Sequence, residues 1–232
     1  MIPIVSIFNL VSAFFFGGAS LKIYFSYLKN REEKLGDFLK VFLLLTILLN
    51  LLATLGLIFW QQETIGLVYA LYPFLAFMGL AYLGTIPLSL MNWQRIKKIF
   101  FNLTVAIAFL VTLLNILNWG PAVVHYQDSF VYWEDTRGVS MNVMIGLFYG
   151  LILILVISFF LIQGFRSSER FVKIRSLFIA AGLFFLALTS LVNFVFGASA
   201  QEYLDSLIAA VFNILAGTFI LIGIYYKPQK SY

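Results

Sequence analysis

The sequence predicts an all-α integral membrane protein. It has seven transmembrane helices, the N-terminus outside, the C-terminus in the cytoplasm, and an extracytoplasmic β-hairpin-like loop at residues 120–140. Three observations predict this. The chain is 62% hydrophobic and only 11% charged, against about 45–50% and about 25% in soluble domains. It contains seven apolar runs, each reaching the roughly 20 residues that a helix needs to cross a bilayer. Its basic residues gather in alternate connections between those runs, which is the asymmetry that orients membrane proteins. No stretch has the composition of a separate soluble unit, so residues 1–232 read as one transmembrane domain.

The first span runs from Ile4 to Tyr27. It lacks the basic start of a secretory signal, so it is expected to stay as a span. Gly17 and Gly18, followed by Ala19 and Ser20, form a small-residue patch where another helix can approach closely. The second span runs from Phe38 to Trp60 and the third from Ile65 to Leu90. Pro73 and Pro87 lie inside the third. Each removes a helix hydrogen bond and favours a kink.

The fourth span runs from Ile99 to Trp119, and Gly120-Pro121 then turns the chain out of it. The runs VVHY and FVYW flank Gln127-Asp128-Ser129, and Gly138 follows. Two β-prone runs around a short polar triplet outline a hairpin. Such a loop can lie over the bundle mouth as a lid, with Val124, Tyr126, Phe130 and Tyr132 or their neighbours turned down, either to seal the mouth or dock a partner, or to cover a ligand. The fifth span runs from Met141 to Gln163, the sixth from Ser176 to Phe196 and the seventh from Ser206 to Tyr226. In the seventh, Ala209, Asn213 and Gly217 recur every fourth residue and share one face. With Gly17 and Gly18 they are the predicted helix-packing interface.

Orientation follows from the connections. KNREEK (29–34), NWQRIKK (92–98), FRSSERFVKIR (165–175) and Lys227 with Lys230 all fall on one side. Arg95, Lys97, Lys98, Arg166, Arg170, Lys173 and Arg175 are the basic residues of the two middle loops. Of the 15 lysines and arginines only Arg137 falls on the other side. The basic side is therefore expected in the cytoplasm, of a prokaryotic cell membrane, where it also attracts anionic lipid. Trp60, Trp93, Trp119 and Trp133 lie at or beyond span ends, where tryptophans anchor at the membrane interface. The net charge of +5 belongs to this asymmetry and does not point to nucleic acid.

Several function classes are disfavoured. The chain has no cysteine, which removes disulfides, thiolate metal sites and a cysteine nucleophile. No ionisable residue lies near the middle of a span, so proton relays and ion-coupled carriers built on buried carboxylates lack their groups. The seventh span has no lysine for a retinal Schiff base. His125, the sole histidine, lies in the outer loop without the companions a metal needs. No nucleophile–base pair or phosphate loop marks an enzyme. No cofactor and no metal are expected.

What remains is neutral polarity. Asn115, Asn193 and Asn213, with other span asparagines, threonines and serines, read either as interhelical glue or as a polar pocket for a small neutral ligand. His125, Tyr126, Phe130, Tyr132 and Trp133 would form its lid, together with Asn115, Asn193 and Asn213 below.

The layout resembles a known family. The features are seven spans with the N-terminus outside, a long outer loop after span four opening with Gly120-Pro121, and the basic turn FRSSERFVKIR leading into SLFIAAGLFFLAL. Together they look like the seven-transmembrane sensor region at the N-terminus of certain bacterial histidine kinases. That resemblance implies a bundle that senses something outside or in the membrane and passes it to a cytoplasmic output domain. Here the sequence ends at KPQKSY, so the output is expected to belong to a separate partner. The leading expectation is a non-enzymatic sensor or receptor-like module acting through that partner. The alternatives are a non-catalytic accessory subunit of a larger membrane complex, which predicts a filled bundle, and a small-solute transporter. The expected partners are membrane lipids and either other membrane proteins or a cytoplasmic output protein.

Overall fold

The computed structural model describes residues 2–58, 62–127, 130–134, 139–192 and 202–226. Seven helices account for most of them: α1 (Ile4–Asn30), α2 (Glu33–Ile58), α3 (Gln62–Leu90), α4 (Gln94–Leu117), α5 (Val139–Arg166), α6 (Arg170–Leu191) and α7 (Glu202–Tyr225). All seven are long and apolar enough to cross a membrane. Short strands β1 (Ile2–Pro3), β2 (Val123–Gln127) and β3 (Phe130–Glu134) complete the fold. Trp60, Asp128, Arg137, Gly138, Asn193, Lys227 and Lys230 lie outside the described residues.

At the basic end most helices extend beyond the apolar runs. α2 starts at Glu33 and α4 at Gln94, each about a turn before its apolar run, and α6 starts at Arg170. Hydropathy marks what must face lipid, whereas backbone hydrogen bonds continue the helix through charged residues at the interface. α1 stops at Arg31, whose positive φ of 53° brings its N–H to the Tyr27 carbonyl at 2.7 Å. Asn92, at φ 57°, turns the chain between α3 and α4, a conformation that asparagine tolerates better than most residues. α3 continues through both Pro73 and Pro87.

The helices pack in an order different from their sequence. α1 lies on α2, α2 on α3, α3 on α5, α5 on α6, α6 on α7, and α7 returns to α1. Six helices thus close a ring, and α4 packs outside it, chiefly on α3. Phe16, Phe42, Phe77, Leu80, Leu153, Leu183 and Ile220 fill the ring and are all but fully buried. The Phe16 and Phe42 rings meet edge-on, with centroids 5.4 Å apart, and Phe77 meets Tyr149 at 6.2 Å. Large apolar residues such as Phe14, Phe25, Phe109 and Leu155 point outward instead, as a lipid-facing surface requires.

Small residues bring helices together at particular points. A Cβ on Gly217 would stand 2.5 Å from the Phe15 ring of α1. Ala209 and Asn213 on the same helix are buried too. The first-span glycines behave differently. Gly17 has room for a methyl group beside Thr46, and Gly18 faces open space. A close approach between two helix backbones is one that periodicity did not single out: a Cβ on Gly182 would stand 2.7 Å from the Ala216 carbonyl oxygen. α6 and α7 meet there.

Candidate functional site

The two ends of the bundle differ in chemistry. At one end β1, β3 and β2 form a small sheet in that order, with β3 in the middle. β2 and β3 pair antiparallel, and β1 joins β3 in parallel through Ile2↔Phe130 and Pro3↔Val131. Val131 is fully buried and packs with Ile65, Val68 and Ala122, surrounded by Leu51, Leu52, Tyr69 and Val124. The Ala122 N–H donates to the Gln62 carbonyl at 3.0 Å, which ties the segment after α4 to the first turn of α3. The surroundings of Val131 are therefore apolar.

The register decides which candidates belong together. Val124 pairs with Trp133, His125 with Tyr132, Tyr126 with Val131, and Gln127 with Phe130. Successive strand positions alternate between faces, so the register positions of Phe130 and Tyr132 share the face of His125. The register positions of Val124, Tyr126, Val131 and Trp133 belong to the other. The expected grouping of Val124 and Tyr126 with Phe130 and Tyr132 is thus divided by the pleat. His125 is half-buried. Tyr126 sits on the edge strand β2 and is 62% exposed.

Asn115 is buried, and its side-chain Nδ2 donates to the Ala70 carbonyl at 3.3 Å. This bond ties α4 to the backbone of α3 three residues before Pro73, the kind of interhelical polar contact that joins helices in a membrane. The Asn115 Oδ1 and the Thr112 hydroxyl, one turn apart, have no hydrogen-bond partner among the described residues. Asn213 lies on α7, a helix that α4 does not flank. A different polar group crosses the ring. The Tyr149 hydroxyl of α5 shares a hydrogen bond with Ser190 of α6 and lies near Tyr72 of α3.

The other end carries the basic residues. Arg95, Lys98, Arg166, Arg170 and Lys173 are exposed. Lys97 and Arg175 turn inward. Lys97 of α4 reaches the buried Asp37 of α2 at 3.3 Å, and Lys40 reaches the same carboxylate at 3.4 Å. Lys40 also stands over the Tyr82 ring at 4.8 Å. Arg175 donates Nε to the Gly223 carbonyl at 2.9 Å and Nη2 to that of Ile224 at 3.0 Å. Helix ends leave such carbonyls without internal partners, so Arg175 caps α7 from α6. The Tyr225 hydroxyl lies 2.8 Å from Ser26 Oγ and donates to the Lys22 carbonyl at 3.0 Å, joining α7 to α1. These side-chain links gather the basic helix ends at one end of the molecule.

Asp37 and its lysines were visible in the sequence, but nothing there paired positions 37 and 97. Arg175 was counted for topology and proves to hold a helix end. Among known proteins, no family model matches the chain and no curated protein matches it.

Proposed function

We propose that this chain is a non-catalytic membrane protein that works by docking to another membrane protein, as an accessory subunit of a larger assembly. The reading rests on the interior of the ring. Phe16, Phe42, Phe77, Leu153, Leu183 and Ile220 pack it with large apolar groups, and Val131 of the sheet packs on apolar residues of α3. An interior packed in this way makes a rigid frame, and its chemistry lies on its surfaces. The uneven distribution of lysine and arginine supports a basic end in the cytoplasm and a sheet end outside, in the cytoplasmic membrane of a prokaryote.

The test is extraction of the native protein in mild detergent, followed by sizing and mass spectrometry. The expected result is stoichiometric co-migration with other membrane proteins. A lone species would overturn the subunit reading.

One observation favours a second reading, the sensor that acts through a cytoplasmic output partner. Tyr149, Ser190 and Tyr72 bring neutral polar groups from three ring helices together. A small neutral ligand competing for those hydroxyls would shift α3, α5 and α6 against one another. The resemblance to histidine-kinase sensor regions supports this reading only in layout. A lone species carrying a bound small molecule would favour it.

A further inference from the structure

At the basic end, α1 and α7 enclose an open groove of about 390 Å³. Its walls change character along its length. Lys22, Tyr225 and Tyr226 stand at the end nearest the helix termini, and Phe15, Thr218, Leu221 and Ile222 line the rest. Phe15 and Thr218 each lie seven residues from Lys22 and Tyr225, which is about 10 Å along a helix axis. The Lys22 ammonium lies 4.6 Å from the centre of the Tyr225 ring. Tyr225 is the last residue of α7, so the charge sits at the level where that helix ends.

Lys22 is exposed, and no acidic side chain pairs with it among the described residues. The terminal carbonyls of α7 do not engage it either, because Arg175 takes those of Gly223 and Ile224 from the far side. The groove thus offers an unneutralised cation and an aromatic ring at the level where α7 ends, above an apolar trough about two helical turns deep. A phosphate-bearing headgroup suits the first part and an acyl chain the second.

We propose that this groove is a binding site for one anionic phospholipid of the basic-side leaflet, with Lys22 on its phosphate and Phe15, Leu221 and Ile222 along its acyl chain. The site requires that the chain span a membrane. It is independent of whether a protein partner docks.

The test uses the full chain in mild detergent and native mass spectrometry. Phosphatidylglycerol and phosphatidylcholine of identical acyl chains are offered in turn, and retained lipid is counted. The expected result is one retained phosphatidylglycerol, held about fivefold more tightly than phosphatidylcholine, the contribution of about one lysine near a membrane surface. Lys22→Gln should reduce that preference to none, whereas Lys22→Arg should keep it. Ile222→Trp, which fills the trough, should release both lipids. Lys98→Gln, at an exposed position of the basic loop, should change nothing. Equal retention of the two lipids by the unaltered chain would overturn the proposal. So would an unchanged preference in Lys22→Gln, or displacement of the lipid by excess inorganic phosphate, which would make the site one for the free anion.

Discussion

Asp37 brings a carboxylate into a buried position at the foot of α2, where two lysines answer it unequally. The Lys97 side chain is 17% exposed and that of Lys40 is 51% exposed. A shielded ion pair matters more than a solvated one, because removing its partner strands a charge away from water. Lys97→Met should therefore cost about 1–3 kcal/mol, and Lys40→Met less than about 1 kcal/mol. Equilibrium unfolding of both variants in mild detergent checks the order, and equal losses would contradict it. Arg175 makes a second case. Its fork reaches two carbonyls at once, which a lysine's single ammonium does not reproduce in the same geometry. Arg175→Lys should lower stability by about 1–2 kcal/mol, read as a fall in Tm with the helical content kept. Both residues are charges beside apolar runs. Their roles are not legible there, because 60 residues separate Asp37 from Lys97 and 48 separate Arg175 from Gly223.

Among the helices, the decisive contacts are close approaches that spacing alone does not reveal. Gly182 of α6 lies against the backbone of α7, where a methyl group would meet the Ala216 carbonyl oxygen and the Ile220 nitrogen. Neither atom can swing aside as a side chain does. Gly182→Ala should destabilise the bundle by about 1–3 kcal/mol through overpacking. Gly18→Ala should stabilise it by about 0.5–1 kcal/mol, since nothing stands within 4 Å of the added Cβ and alanine favours helix over glycine. Thermal unfolding of the pair should move in opposite directions. Both glycines sit in apolar helices with similar neighbours. What separates them is which side of the helix meets a partner, and that is a property of the bundle. The strands show the same limit. VVHY and FVYW were legible as strand-forming, but the pairing of His125 with Tyr132 and Tyr126 with Val131 set which candidates share a face.

For the molecule as a whole, orientation is the property that the proposed roles share. The chain has no cysteine, so single-cysteine variants report on a clean background. Ser168→Cys, in the exposed α5–α6 connection, and Val123→Cys, on the exposed edge of the sheet, should react with a membrane-impermeant maleimide from opposite sides. In intact cells Val123→Cys should label and Ser168→Cys should label only after lysis. The reverse pattern would invert the topology.

Helix number, approximate span positions and the one-sided basic loops were legible in the amino-acid order, because lipid imposes its demand locally: each run must be apolar for about 20 residues and each flank must suit its side of the membrane. The closed ring of six helices, the place of α4 outside it, the Asp37–Lys97 link and the groove between α1 and α7 came from the folded bundle alone. A helix in lipid is apolar all round, on the side that meets protein and on the side that meets hydrocarbon. The periodicity that points a soluble helix toward its core is therefore weak here, and the choice of neighbour passes to shape, to small residues and to a few polar contacts between helices far apart in the chain.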